Sequence, residues 1–99
     1  MYVVVQHTFK DPEAAFQRGA RLISGEGAPE GTRVLQFYPA TDGSGAACLW
    51  ESGSVKDVQG FADTTLGDSS SNRVYEVDAD NAFSERPLGL AASVPTNQG

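Results

Sequence analysis

The chain has 99 residues, of which 39% are hydrophobic, and this suits a single domain with a modest core. Thirteen acidic residues against seven basic ones give a net charge of −6, which argues against a nucleic-acid partner or an anionic membrane surface. No apolar run approaches a membrane span, no signal peptide is evident, and the single cysteine cannot form an internal disulfide. We therefore expect a cytoplasmic protein without nucleic-acid or membrane partners.

The beginning of the chain predicts a strand and then a helix. Residues 2–9 are rich in β-branched and aromatic side chains, and the three consecutive valines at 3–5 make both faces of this strand apolar. A helix begins after Asp11, a capping residue, with Pro12 at the first helical position. Gly25 is typical of a helix end.

Two further strands follow a loop that is rich in glycine and proline. Residues 32–38 alternate as the second strand, with Val34 and Tyr38 on one face. Residues 42–45 carry a hairpin signal, and residues 46–51 form a third strand that is again apolar on both faces.

The last two elements are a helix and a strand. Ser54 caps the second helix, whose apolar stripe continues to Gly67. Residues 68–72 are polar and predict a loop, and residues 73–79 predict the last strand, with Tyr75 on one face.

The order of these elements, βαββαβ, predicts an α+β, ferredoxin-like domain over residues 1–80 and a C-terminal tail over residues 81–99. Right-handed crossovers give an antiparallel sheet in the order 4-1-3-2 with both helices on one face. The first and third strands, which are apolar on both faces, then lie at the centre of the sheet. Because the helices cover one face alone, we expect a homodimer through the other face, with Trp50, Cys48 or Tyr38 near the contact if they point away from the helices.

The residues YVVVQH at 2–7, CLWE at 48–51, Ser54 and NRVYEV at 72–77 resemble the dimeric α/β-barrel branch of ferredoxin-like proteins. More narrowly, the chain is similar over residues 2–79 to small, mostly uncharacterised bacterial members, some of which bind nickel. The resemblance implies a barrel-like dimer with a pocket in each protomer between sheet and helices. Members of the branch include cofactor-free monooxygenases, haem proteins, polyketide cyclases, stress-response proteins and metal binders.

The chain departs from the metal-binding members in its donor residues. Those members use several histidines, whereas this sequence contains His7 alone, and His7 with Cys48 makes at most two ligands. Two ligands fall short of a closed zinc or nickel site. We therefore expect no metal and no other cofactor.

His7 is the candidate catalytic residue because its unperturbed pKa lies nearest neutrality; the alternative is a structural histidine. Tyr38, Trp50 and Tyr75 are candidate ligand-binding residues, and each has an alternative role in the core or at an interface. Cys48 has apolar neighbours and no base beside it in the sequence, which predicts an inert buried thiol.

No catalytic motif is present, so the first hypothesis is a small dimeric ligand-binding or interaction protein that takes a small apolar or aromatic molecule. The alternatives are a cofactor-free monooxygenase or isomerase acting on an aromatic small molecule, and a nickel-binding protein. An apolar cavity with His7 at its wall favours an enzyme, and a packed interior favours a binding module.

Overall fold

A computed structural model describes residues 1–85 of the chain. The part of the predicted C-terminal tail beyond residue 85 lies outside the described residues. The elements follow the order βαββαβ, with a 3-10 turn at Gly67–Ser69 before the last strand. They are β1 (Tyr2–Phe9), α1 (Pro12–Ser24), β2 (Arg33–Pro39), β3 (Gly45–Glu51), α2 (Val55–Leu66) and β4 (Ser70–Glu76).

The four strands form one antiparallel sheet in the order β2-β3-β1-β4, which is the predicted order viewed from the other edge. Both helices cover the same face, because Leu22 of α1 and Val58 of α2 belong to one core cluster with Val3 and Trp50. The fold is therefore α+β and ferredoxin-like, as predicted. The strands β1 and β3 are central, in agreement with their apolar character on both faces.

The helix ends follow local sequence signals. The Asp11 side chain accepts a hydrogen bond from the backbone N–H of Ala14, and Gly25 ends α1 with a φ of 79°, a conformation that favours glycine. The Ser54 hydroxyl accepts a hydrogen bond of 3.0 Å from the backbone N–H of Asp57 at the start of α2. These caps satisfy backbone N–H groups that have no partner within the helix.

The core lies between the helices and one face of the sheet. Trp50 is fully buried, and its ring meets the Phe61 ring of α2 edge-on at a centroid distance of 6.0 Å. The other buried members of this cluster are Val3, Val5, Leu22, Cys48, Val58 and Leu66. Removing such side chains from water contributes about 1.5–3 kcal/mol each to folding, before entropic costs.

The strand β4 begins three residues earlier than predicted. Residues 70–72 were expected to be loop because they are polar, but they pair with Phe9, Thr8 and His7 of β1. Backbone hydrogen bonds hold a strand at the sheet edge whatever its side chains, so a polar composition does not prevent pairing. The earlier start brings Asn72 directly opposite His7.

The strand β2 contains an irregularity that the alternating pattern does not predict. Its register against β3 shifts between Val34 and Gln36, so that Val34 lies opposite Trp50 on the helix-covered face while Tyr38 lies opposite Ala47 on the other face. The prediction that Val34 and Tyr38 share a face is therefore wrong. One extra residue in a strand reverses the parity of everything that follows it.

The face of the sheet away from the helices, the outer face, carries both apolar and polar side chains. Its members include Tyr2, Val4, Gln6, Tyr38, Leu49, Arg73 and Tyr75. Cys48 and Trp50 lie on the opposite, helix-covered face and are buried there. The condition under which they were expected at a sheet-to-sheet contact, that they point away from the helices, is not met by Cys48 and Trp50, whereas Tyr38 does lie on the outer face. None of the helices within residues 1–85 is long and apolar enough to cross a membrane.

Candidate functional site

His7 lies on the helix-covered face of β1, with its side chain 5% exposed. Its ring spans two neighbouring strands: Nδ1 is 2.7 Å from Oδ1 of Asn72 on β4, and Nε2 is 3.2 Å from Sγ of Cys48 on β3. Gly45 of β3 packs against the backbone of His7, and a Cβ at this position would collide with the carbonyl oxygen of His7. Both ring nitrogens are thus engaged within the protein.

The hydrogen bonds continue from Asn72 to the surface of α2. Asn72 Nδ2 donates to Oδ1 of Asp63 at 2.9 Å, and Gln59 Nε2 donates to the other oxygen of that carboxylate at 3.0 Å. The Ser70 hydroxyl donates to Asn72 Oδ1 at 2.7 Å. We call the connected residues Cys48, His7, Asn72 and Asp63 the polar relay.

Both titratable groups at the inner end of the polar relay favour their neutral forms. Burial lowers the pKa of His7, and the hydrogen bond with Asn72 opposes this effect only in part. Burial raises the pKa of the Cys48 thiol to about 12, while the neighbouring Trp50 indole acts in the other direction. At neutral pH the pair is a thiol beside a neutral imidazole. Cys48 is buried as predicted, and although no base stands beside it in the sequence, the structure places His7 next to it from the neighbouring strand.

A cavity of about 120 Å³ lies between the sheet and α1, and His7 forms part of its wall. The rest of its wall is apolar, so that His7 is the one titratable side chain that lines it among the described residues. The larger side chains that line it are Phe9, Phe16, Leu22, Ile23, Phe37 and Leu66.

The cavity exists because α1 presents small residues to the sheet where α2 presents large ones. Gly19 and Ala20 line the cavity, and a Cβ at Gly19 would come only to 3.9 Å from Leu66. Phe16 and Ile23 of α1 also line the cavity but are 44% and 50% exposed, so they form its rim.

The aromatic side of the cavity is ordered by ring contacts. The rings of His7 and Phe9 stack at a centroid distance of 5.9 Å, and Phe16 meets Phe9 edge-on at 5.4 Å. Such contacts fix ring orientations as well as adding stability. The imidazole is therefore held on three sides, by Phe9, Asn72 and Cys48.

The structure does not bring the predicted site residues together. Trp50 shares the face of His7 but is fully buried against Phe61 and does not line the cavity. Tyr38 and Tyr75 lie on the outer face, on the far side of the sheet from His7.

The two tyrosines have surroundings of their own on the outer face. Tyr38 lines an open groove of about 640 Å³ together with Tyr2, Val4 and Leu49. Phe83, which is 84% exposed, lies at the same groove. Tyr75 lies beneath the guanidinium of Arg73, which is 5.6 Å from the ring centroid. The outer face therefore offers a second, shallower surface that is separate from the cavity.

Histidine and cysteine side chains, which could ligate a metal ion, are few in the described part of the chain. Within residues 1–85, no group of three or more His, Cys, Asp or Glu side chains is placed to hold a metal ion. His7 and Cys48 are in contact, but these two potential ligands already bind each other.

Comparisons with known proteins add a likeness in structure. No protein-family model matches the sequence, and a search of curated proteins finds no match. The structure of Rv0793 from Mycobacterium tuberculosis is similar, with 14% sequence identity and a TM-score of 0.49 over 77% of this chain and 93% of that chain.

Proposed function

We propose that the protein binds a small, uncharged and mainly apolar molecule in the cavity between α1 and the sheet. The observation that supports this proposal is the composition of the cavity wall, which is apolar apart from the buried, neutral His7. A charged ligand would lose its hydration without finding an opposite charge in this wall.

The volume of the cavity sets the size of the molecule. Its 120 Å³ approach the roughly 150 Å³ of engineered apolar cavities that remain dry and bind benzene. A single six-membered ring therefore matches the space better than a fused polycyclic one. Phe9, Phe16 and Phe37 offer ring faces and edges to such a molecule.

Toluene is a suitable first probe, and two glycines on different helices supply a matched pair of variants. Gly19→Leu places a side chain beside Leu66 at the cavity, whereas Gly60→Leu adds the same side chain to α2 where nothing lies within 4 Å. We expect toluene to shift the amide NMR signals of residues around the cavity in the unaltered protein and in Gly60→Leu, and to lose this effect in Gly19→Leu. Absence of binding to the unaltered protein, or equal binding by Gly19→Leu, would contradict the proposal.

A second candidate is a cofactor-free oxygenase or isomerase that acts on an aromatic small molecule. What favours it is the apolar cavity with His7 at its wall, the feature that distinguishes an enzyme from a binding module in the sequence analysis, and the neutral imidazole, the form of histidine that can accept a proton. What weighs against it is that Asn72 and Cys48 occupy both ring nitrogens, so that a substrate has to displace the thiol. Turnover of an aromatic compound that is lost in His7→Phe while toluene binding persists would establish the enzyme.

We further propose that a second copy of the chain covers the outer face. The support is the half-buried Val4 and Leu49 at the centre of this face, with the exposed Tyr2 beside them. Sedimentation should give about twice the 10.4 kDa of one chain. Leu49→Lys should shift the protein toward the monomer, whereas Gln6→Lys, an exposed position on the same face, should do so less. A monomer at micromolar concentration would end this proposal.

A further inference from the structure

The polar relay fixes which of its atoms carry protons, beginning at its outer end on α2. The Asp63 carboxylate can only accept hydrogen bonds, so the group of Asn72 that faces it is the amide NH₂. The carbonyl oxygen of the same amide then faces His7. Because that oxygen can only accept, the His7 nitrogen opposite it, Nδ1, carries the proton.

The other ring nitrogen of His7 is therefore a hydrogen-bond acceptor. The ring is neutral at pH 7, since burial opposes its protonation. With the proton on Nδ1, the lone pair of Nε2 points at the Cys48 sulfur, and the thiol S–H donates to it. At the inner end of the polar relay, the acceptor is therefore His7 Nε2, and the group that donates to it is the weak S–H donor of Cys48.

We propose that Asp63 and Asn72 are positioning residues that hold His7 in the Nδ1–H tautomer, so that the cavity recognises a small uncharged ring carrying a hydrogen-bond donor. This inference rests on the proposed function, because it concerns the molecule that enters the same cavity.

A hydrogen-bond donor on the ligand binds His7 Nε2 more strongly than the Cys48 thiol that it replaces. A hydroxyl group forms a stronger hydrogen bond with an imidazole nitrogen than a thiol does. The displaced sulfur has another neighbour, the buried Trp50, whose indole N–H has no full hydrogen bond within the described residues. A thiol that turns from His7 can accept a hydrogen bond from this indole, so the group left without a partner is then the weak S–H donor instead of the indole N–H.

Two probes of almost equal shape test the recognition. Phenol carries a hydroxyl where toluene carries a methyl group, and we expect phenol to bind about fivefold more tightly, the effect of one net hydrogen bond. In His7→Phe, which keeps a ring and removes the acceptor, toluene should bind more tightly than phenol, because the phenol hydroxyl then has no hydrogen-bond partner in the cavity wall. Equal affinities for the unaltered protein would overturn the inference and leave the proposed function standing.

The tautomer has a spectroscopic signature that does not depend on any ligand. The ¹⁵N chemical shifts of the His7 ring should show a protonated Nδ1 and an unprotonated Nε2. In Asp63→Asn the new amide can donate or accept, so the Asn72 amide is free to turn and the Nε2–H tautomer should become populated. The preference for phenol should fall with it. Asp57→Asn removes the same charge from the same helix outside the polar relay and should change neither property.

The outcomes separate the two proposals. If neither phenol nor toluene binds, the proposed function fails, and the inference fails with it. If both bind but the unaltered protein shows the Nε2–H tautomer, the inference alone is overturned. A protonated Nδ1 together with a phenol preference that His7→Phe and Asp63→Asn both reduce would support it.

Discussion

The two helices lie on the same face of the sheet but pack against it in different ways. α2 places Val58, Phe61 and Leu66 in the core, and Trp50 fills the space beneath it. α1 buries only Ala15 and Leu22, and a cavity remains beneath it. The domain therefore has a packed half under α2 and a hollow half under α1.

This difference shows that an apolar stripe on a helix does not determine how tightly the helix packs. Both stripes have the helical spacing, but the stripe of α1 includes Gly19, and its larger members Phe16 and Ile23 lie toward the edge. A well-packed core leaves few voids larger than a water molecule. The cavity of about 120 Å³ beside the buried His7 is larger than such voids, and it distinguishes the hollow half from the packed half.

The largest expected effect comes from removing one phenylalanine from each half. Phe61→Ala should lower the free energy of unfolding by about 3–5 kcal/mol, because it removes the contact with Trp50 and leaves a cavity. Phe16→Ala should lower it by about 1 kcal/mol or less, because the side chain is already 44% exposed. Urea denaturation of both variants measures the difference. Equal losses would mean that the two halves are packed alike.

Cys48 lies in the core beside His7, which lines the cavity. Its reactivity therefore tests whether the interior next to the cavity is closed to solvent. With a pKa of about 12 in the folded protein against 9.0 for a free thiol, the thiolate is roughly a thousandfold rarer at pH 8. We expect a disulfide reagent to modify Cys48 at least that much more slowly in native buffer than in urea. Comparable rates would show that the hollow half opens readily to water.

His7 should make the stability of the domain depend on pH. Its pKa in the folded state is lowered below the ordinary 6.5 by burial, so the unfolded chain binds the proton more readily. The free energy of unfolding should therefore fall as the pH drops from about 7 through 6.5 toward the folded pKa, by at most about 1.4 kcal/mol per pH unit. Above this window the contribution of His7 is constant.

A variant assigns this pH dependence to one residue. His7 is the single histidine of the sequence, so His7→Phe should flatten the profile between about pH 5 and 7. A profile that remains unchanged in His7→Phe would show that other groups produce the slope. Urea denaturation of both proteins at intervals of half a pH unit measures it.

The smallest expected effect on stability comes from adding one methyl group to each helix. Gly19→Ala and Gly60→Ala should each raise the free energy of unfolding by up to about 1 kcal/mol, because alanine is the better helix former. Gly19→Ala adds its methyl group beside Leu66 at the cavity, and Gly60→Ala adds it to open space. Thermal unfolding measures both. A loss of stability in Gly19→Ala alone would mean that the hollow half has no room for a methyl group.

The sequence predicts the fold well because its signals are local. The caps at Asp11 and Ser54, the glycine at the end of α1 and the apolar runs of β1 and β3 each act within a few residues. The start of β4 and the register shift of β2 were missed, since both depend on backbone pairing with a neighbouring strand. Such pairing leaves no mark in the hydrophobic pattern.

The site was less predictable because its contacts cross strands. The sequence identifies His7 from its chemistry alone, and the stacking of its ring on Phe9, two residues further along the strand, follows from strand parity. Asn72 and Asp63 were not identified, although Asn72 would have appeared opposite His7 if β4 had been extended to Ser70. Cys48 was assigned as isolated because its base is 41 residues away in the sequence.

Gly45 joins the site to the folding of the sheet. Its α-carbon lies against the carbonyl of His7, where even an alanine methyl group would force β1 and β3 apart. The pairing of the two central strands and the placement of the imidazole therefore depend on the same residue. Natural variation can reshape the rim of the cavity at Phe16 or Ile23 one residue at a time. At Gly45 every substitution disturbs the scaffold and the histidine together, so this should be the least adaptable position of the site.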